Sequence, residues 1–292
     1  MNDYASLPTE AARAAGPELD LLPAAEIARL LLAEEAEAQA AVERAIGPVG
    51  LACEAAAAAL RRGGRLFYVG AGTSGRLGVL DAAEVGPTFG APPGLVVALL
   101  AGAPRAMTEG VEGAEDDGAA GRAALRAHAP SDRDCIVGIT MSGTAAFVRG
   151  ALEAAPSTRV LLTANAGAEI PAEVVVALDL GPELLAGSTR LKGGSATKAV
   201  LNMISTAALA ATGAVYGNRM VAVRPVNRKL RDRAERLVAE LAPVDRARAA
   251  ILLVEAGDDV RVAVLMARLG SPRDEALARL ARAGGSLRRA LR

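Results

Sequence analysis

The spacing of the apolar positions changes near residue 65. Before that point, apolar side chains recur at helical spacing from residue 24 to about residue 46, with acidic residues between them, which predicts an amphipathic helix. An alanine-rich helix is predicted from about residue 49 to residue 61, where a glycine pair follows. The polar segment that precedes both helices, with its proline and glycine residues, is expected to be an extended arm.

Beyond residue 65, short and continuously apolar runs alternate with helical segments. Such runs are typical of parallel strands that are buried on both faces, so the alternation predicts an α/β fold with helices on both sides of a parallel sheet. Five strands are predicted, at 65–69, 95–100, 135–140, 159–163 and 174–180. Helices are predicted from about residue 75, over 107–128, over 145–155 and over 195–211.

The last part of the chain, from Asn227 onward, is helical and charged in pattern, with glycines between its helices. Three short helices are predicted at 245–256, 259–269 and 272–283. The predicted division of the chain is an N-terminal arm and helix at 1–48, a sheet domain at 49–226 and a small helical appendage at 227–292.

Composition excludes several classes of function. The 33 Lys and Arg residues balance 33 Asp and Glu residues, and there are only three Tyr, three Phe and no Trp. A nucleic-acid partner is therefore not expected, because phosphate contacts need a basic excess and base stacking needs aromatic side chains. The chain has no apolar run of about 18 residues and no signal-peptide pattern, so the expected location is cytoplasmic and not in a membrane.

The chain contains few side chains that typically bind metals or act as nucleophiles. His128 is the single histidine and is expected on a solvated loop, while Cys53 and Cys135 lie in apolar surroundings, far apart in sequence. A histidine-based triad, a histidine metal cluster or a zinc deaminase site is therefore not expected, and no other metal or cofactor is expected either. Acid and base chemistry falls to carboxylates, lysine, tyrosine or cysteine.

A glycine-rich loop at residues 70–76 (GAGTSGR) lies between the first predicted strand and a helix. Glycines allow a ligand to approach the backbone, and the N–H groups at a helix start bind phosphate; Gly72, Thr73 and Ser74 are the candidate ligands. The alternative is a tight turn with a capped helix. A nucleotide is not indicated, because the P-loop lysine is missing and the next strand ends without an acidic residue.

Two more loops of small polar residues follow later strands. Residues 140–144 contribute Ser142, Gly143 and Thr144, and the ends of neighbouring parallel strands can form one phosphate pocket. Residues 187–195 carry Ser188 and Lys192 as candidate ligands, although a solvated loop is the alternative for this segment.

Two carboxylates lie on the otherwise apolar helix that follows the first loop. Glu84 and Asp81 stand in the stretch VLDAAEVGPTFG. A carboxylate in apolar surroundings has a raised pKa, as a general acid requires, and an ion pair with Arg76 is the competing explanation. The acidic run at 112–117 contains Glu112 and Glu115, between which the residue pattern does not choose, together with two aspartates expected on a solvated face.

Several long stretches resemble the N-acetylmuramic acid 6-phosphate etherases. They are residues 65–90, 111–117, 187–206 and 215–234, and the resemblance extends from about Thr9 to the C-terminus. It implies a sugar isomerase (SIS) domain, which is a flavodoxin-like parallel sheet that binds phosphosugars. The glucokinase regulatory proteins are similar in architecture and bind fructose phosphates without catalysing this reaction.

The resemblance implies a carbon–oxygen lyase of cell-wall sugar recycling. The ether between C3 of N-acetylmuramic acid 6-phosphate and D-lactate is cleaved by elimination and water addition, giving N-acetylglucosamine 6-phosphate. Glu84 matches the proton donor of the family and Glu115 matches its second catalytic glutamate, which serves as the base. The alternative is a non-catalytic phosphosugar-binding regulator, and a sugar-phosphate isomerase is less favoured because His128 lies outside the expected site.

The sequence departs from the family pattern in two loops. The second phosphate loop, commonly Ser-Gly-Arg-Thr-Pro, reads Ser-Gly-Thr-Ala-Ala from Ser142, and the usual Glu-Cys-Pro-Pro reads Glu-Val-Gly-Pro from Glu84. Glu84 also lies ten residues beyond Ser74, which corresponds to about 15 Å along a straight helix. That exceeds the span of one sugar phosphate, so a homodimer with shared active sites is predicted unless the helix bends early.

Overall fold

The computed structural model of the protein describes residues 7–14 and 16–292. Its centre is a five-stranded, fully parallel sheet with the strand order β2-β1-β3-β4-β5. This order confirms the predicted flavodoxin-like α/β fold. All five residues of both β1 and β3 are buried, which explains why these runs are continuously apolar. The strands are β1 (Leu66–Gly70), β2 (Val96–Leu100), β3 (Cys135–Ile139), β4 (Thr158–Thr163) and β5 (Val174–Ala177).

Helices follow or precede most of the strands. Those of the first part of the chain are α1 (Ala24–Arg44), α2 (Ile46–Arg61), α3 (Gly72–Phe89), α4 (Gly118–Arg126), α5 (Ala146–Glu153) and α6 (Lys192–Leu209). A short hairpin of β6 (Val215–Tyr216) and β7 (Arg219–Met220) comes next. The remaining helices are α7 (Arg228–Leu241), α8 (Arg246–Glu255), α9 (Val260–Leu269), α10 (Arg273–Arg282) and α11 (Leu287–Ala290).

The helix predicted over 107–128 is wrong in its first half. Only α4 is an α-helix there, and two 3₁₀ turns, Arg105–Met107 and Ala114–Asp116, precede it. Gly113 between them has a left-handed backbone with φ of 72°, which an α-helix does not contain. Asp117 then begins α4 by accepting a hydrogen bond from the Ala120 N–H at 2.8 Å.

The chain forms two compact units. One comprises the described residues up to Ala82 together with Val96–Ser205 and contains the sheet, with a core that includes Phe67, Ile136 and Phe147. The other comprises Ala83–Leu95 and Thr206–Arg292, with a helical core of its own. These bounds differ from the predicted boundaries at residues 48 and 226, so that division of the chain stays a prediction.

Candidate active site

A cavity of about 270 Å³ opens where two central strands end. The chain passes from β1 to β2 at one side of the sheet and from β3 to β4 toward the other side. Such a reversal of direction leaves a crevice at the carboxyl ends of the two neighbouring strands β1 and β3. The cavity lies at this crevice. Its lining residues are Thr9, Glu10, Ala71, Gly72, Thr73, Ser74, Glu115, Ile139, Thr140, Met141, Ser142, Ala145, Gly187 and Thr189.

The first loop turns directly from β1 into α3. Gly72 adopts a left-handed backbone with φ of 54°, and α3 already begins at this residue rather than at the predicted Gly75. A Cβ atom on Gly75 would lie 2.5 Å from the carbonyl oxygen of Gly70, so this glycine allows the helix to pack against the strand end. The helix start, with Thr73 and Ser74, therefore presents backbone N–H groups and hydroxyls at the cavity, an arrangement that suits a phosphate.

The second loop contributes one of its three predicted ligands to the lining. Ser142 lines the cavity, whereas Gly143 and Thr144 do not. The Thr144 hydroxyl instead lies 2.8 Å from the Ser142 hydroxyl, and Asn165 donates a hydrogen bond to the Ser142 carbonyl at 2.9 Å. Thr144 thus orients Ser142 rather than facing the cavity. In the third loop Thr189 lines the cavity, in place of the predicted Ser188.

Lys192, a predicted ligand, lies in a cluster of charged side chains at the start of α6. Its side chain is fully buried, and its ammonium lies 2.7 Å from Glu37 and 3.1 Å from Glu34, two carboxylates of α1. The hydrogen bond from Lys192 lowers the pKa of Glu37. Arg13 completes the cluster at 2.7 Å from Glu34 and 3.0 Å from Glu37. Lys192 does not line the cavity, and its burial in this charge cluster favours a structural role over the predicted role as a phosphate ligand.

Glu115 lies on the rim of the cavity, in the second of the two 3₁₀ turns. Its side chain keeps contact with solvent, yet partial removal from water raises the pKa of Glu115, and the negative charges of Asp116 and Glu112 raise it further. A raised pKa makes this carboxylate a stronger base than an ordinary glutamate. Glu112, the alternative that the sequence left open, does not line the cavity.

Glu84 is exposed, lies in the second unit of the chain and is not among the residues that line the cavity. Within the described residues of one chain, Glu84 therefore lacks the apolar surroundings that were expected for it. Arg76, whose ion pair was the alternative explanation for Glu84 and Asp81, donates instead to the carbonyl oxygens of Ala106 and Glu109, both at 2.7 Å. These bonds hold the loop that leads toward Glu115.

Asp81, the other carboxylate of this helix, has a structural role. It is buried, accepts a hydrogen bond from the Tyr68 hydroxyl at 3.0 Å and lies 3.4 Å from the Lys198 ammonium. Burial, and then the charge of Asp81, raise the pKa of Tyr68 well above its usual value. Tyr68 therefore stays neutral and is not an acid/base group near pH 7.

The charge of the cavity is unusual for a phosphate site. Of the described residues that line it, none is Lys or Arg, and the charged ones are Glu10 and Glu115. An anion there would be held by backbone N–H groups and by hydroxyls. Sequence reasoning missed Thr9, Glu10 and Thr189. Thr189 is next to the predicted Ser188, but no rule based on strand ends points to residues 9 and 10.

Other candidate groups lie outside this cavity. Burial raises the pKa of the Cys135 thiol to about 12, which makes it a poor nucleophile, and His128 is exposed, as predicted. A larger cavity of about 500 Å³ is lined mostly by the sides of α1 and α6 and lacks a strand end. Within residues 7–14 and 16–292, no group of three or more metal-binding side chains is found, and no helix is long and apolar enough to cross a bilayer.

Comparison with known proteins gives a match to one domain family and many relatives that are similar over nearly the full length of the chain. Residues 49–156 match the family described as "Glucokinase regulatory protein N-terminal SIS domain". A protein named N-acetylmuramic acid 6-phosphate etherase from a Synechococcus species is 46% identical over 295 residues, covering 99% of this chain and 93% of the relative. Proteins of the same name from Cronobacter sakazakii (46% over 279 residues, 94% of each chain) and Rubrobacter xylanophilus (47% over 285 residues, 94% and 92%) are similarly close.

Proposed function

The chain belongs to the N-acetylmuramic acid 6-phosphate etherase family, and we propose that it converts N-acetylmuramic acid 6-phosphate to N-acetylglucosamine 6-phosphate and D-lactate. The observation that carries the proposal is the meeting of Ser74, Ser142 and Glu115 in one cavity at the strand-order reversal. Phosphorylated sugars are charged metabolites that cells retain, so the proposal includes a cytoplasmic location.

The phosphate is assigned to the start of α3. Backbone N–H groups at a helix N-terminus and the hydroxyls of Thr73, Ser74 and Ser142 are neutral donors that suit an anion. This assignment fits a cavity that has carboxylates but no basic side chain among its described lining residues. Thr144 stands where the family pattern commonly has an arginine, and its hydroxyl lies 2.8 Å from that of Ser142, so it contributes by orienting Ser142.

The proposed reaction has two stages. In the first, the carboxylate of Glu115 removes the C2 proton of the open-chain sugar, the C3–O bond breaks, and the departing lactate oxygen takes a proton from Glu84. In the second, water adds across the C2–C3 double bond, with its oxygen at C3 and a proton at C2. Both glutamates return to their starting protonation states. Desolvation and neighbouring acids raise the pKa of Glu115, which favours its role as the base.

Glu84 is assigned to the active site of a second subunit. The ten residues from Ser74 to Glu84 correspond to about 15 Å along a helix, which is longer than the span between the phosphate and C3 of one sugar. Glu84 is also exposed in the single chain. The proposal is therefore a homodimer in which Glu84 of one protomer and Glu115 of its partner act on the same substrate.

The test is release of D-lactate from N-acetylmuramic acid 6-phosphate in deuterated water. Wild-type protein is expected to release lactate and to place deuterium at C2 of the sugar product. Glu84→Gln and Glu115→Gln are each expected to lower kcat by about 10²- to 10⁴-fold, the usual contribution of general acid–base groups. Glu109→Gln, an exposed glutamate outside the cavity, serves as the control. No lactate release by the wild type would refute the function, and full activity of either variant would refute its assigned role.

A further inference from the structure

The segment of residues 7–14 forms one wall of the candidate active site, and we call it the 7–14 strap. Its Thr9 and Glu10 line the cavity together with the starts of the phosphate loops. A turn closed by the Glu10 N–H and the Leu7 carbonyl, at 3.0 Å, places Thr9 at this wall. The carboxylate of Glu10 lies close to the third loop. A Cβ atom placed on Gly187 of that loop would be only 3.1 Å from this carboxylate.

The position of the strap is fixed by Arg13. Its guanidinium donates to the Pro182 carbonyl at 3.3 Å and binds Glu34 and Glu37 at 2.7 and 3.0 Å. Glu34 is nearly buried, so this ion pair is less screened by solvent than a surface pair. Because Lys192 binds the same two carboxylates, the strap is attached to the start of α6 through a shared charge cluster.

The hydroxyl of Thr9 has no hydrogen-bond partner within the described protein, although the residue is only 5% exposed. A buried hydroxyl without a partner is costly, and such groups are few in native proteins. The cavity beside it binds an anion, on the function proposed above, and offers only neutral donors among the described lining residues. Each hydroxyl therefore carries a large share of the ligand's hydrogen bonds.

We propose that Thr9 is a substrate-binding residue whose hydroxyl donates a hydrogen bond to the bound sugar phosphate. The inference rests on the proposed function for the identity of the ligand. It assigns a binding role to a residue outside the sheet domain's loops, and it makes the 7–14 strap part of the active site. A hydrogen bond from its hydroxyl to the ligand explains why a threonine is buried at this wall.

The experiment measures binding by calorimetry to N-acetylglucosamine 6-phosphate and, separately, to inorganic phosphate, with full-length protein. Thr9→Val keeps the shape of the side chain and removes the hydroxyl, and it is expected to weaken sugar-phosphate binding roughly tenfold or more. Thr9→Ser restores the hydroxyl and is expected to stay near the wild-type affinity. Ser157→Ala removes another buried hydroxyl without a partner that lies outside the cavity, and it is expected to change nothing.

Weaker binding of both ligands by Thr9→Val assigns the hydroxyl to the phosphate, and weaker binding of the sugar phosphate alone assigns it to the sugar. Unchanged affinity in Thr9→Val, or equal losses in Thr9→Val and Thr9→Ser, overturns the proposal. Because the readout is binding, it stays valid if lactate release fails. A wild-type protein that binds the sugar phosphate but releases no lactate refutes the proposed function alone.

Discussion

Replacement of Lys192 by methionine removes a buried ammonium and keeps most of the side-chain volume. The lysine side chain is fully buried, and its ammonium contacts Glu34, which is 6% exposed, and Glu37, which is 51% exposed. Without it, Glu34 keeps only its contact with Arg13, while Glu37 can be hydrated at the surface. The variant is therefore expected to lose stability through a buried carboxylate that has lost one of two partners.

The size of this loss follows from the burial of the pair. Removal of one partner of a buried ion pair costs about 3–5 kcal/mol in the free energy of unfolding. The remaining Arg13 contact and the exposure of Glu37 place the expected value near the lower end, at about 3 kcal/mol. Glu34→Gln combined with Lys192→Met also removes the buried negative charge that has lost one of its two partners, and the double variant is expected to be more stable than Lys192→Met alone.

The stability that the Glu37–Lys192 contact contributes is expected to depend on pH. The pKa of Glu37 is lowered in the folded protein, chiefly by the hydrogen bond from Lys192. Its contribution to stability is therefore present above the unfolded pKa, near 4.5, and is lost as the pH falls through the lower folded value. The stability difference between wild type and Lys192→Met is expected to shrink below about pH 4.5.

The assay is denaturation by urea, followed by circular dichroism, beside calorimetric binding of N-acetylglucosamine 6-phosphate at low temperature. The structural role predicts a large loss of stability with affinity changed by less than about threefold. The ligand role suggested by the sequence predicts the reverse. Unchanged stability with affinity weakened tenfold or more would refute the assignment of Lys192 to the charge cluster.

Two further predictions concern the rim and the first loop. Asp116→Asn removes a negative charge that raises the pKa of Glu115, so the acidic limb of the pH profile of kcat/KM is expected to move to lower pH. Asp132→Asn, on another exposed loop, is the control and is expected to leave that limb in place. A shift of the limb to higher pH in Asp116→Asn would contradict the electrostatic explanation. Gly75→Ala places a Cβ 2.5 Å from backbone and is expected to destabilise the protein by about 1–3 kcal/mol, measured by urea denaturation. Gly50→Ala, in α2 with open space around its Cβ, is the matched control and is expected to be neutral or stabilising by about 0.5–1 kcal/mol.

The sheet was predictable because its central strands are buried on both faces. β1 and β3 are fully buried and read as unbroken apolar runs, and their observed ends lie within a residue of the predicted ones. The start of α3 was placed three residues late, because glycine normally marks a break. Gly75 is required there for close packing of helix and strand, and the helix continues through it.

The site was only partly predictable because its remaining walls come from distant parts of the chain. Lys192 stands in a polar stretch of sequence that is typical of a ligand-binding loop, but it begins α6, and its partner Glu37 lies 155 residues away in sequence. Thr9 carries no local signal of a binding role, since it reaches the cavity through the contacts of Arg13 with α1. Pairings over such separations depend on packing, which periodicity and spacing do not reveal.

The central claim, that Glu84 and Glu115 act together across two subunits, is tested most directly by mixing inactive variants. Glu84→Gln and Glu115→Gln proteins are unfolded, mixed in equal amounts and refolded, and D-lactate release is measured. If each active site takes one glutamate from each protomer, half of the dimers are mixed and each has one intact site, so roughly a quarter of the wild-type activity returns. The account predicts that recovery. Activity no higher than that of either variant refolded alone would contradict it, because sites confined to one chain would all lack a glutamate.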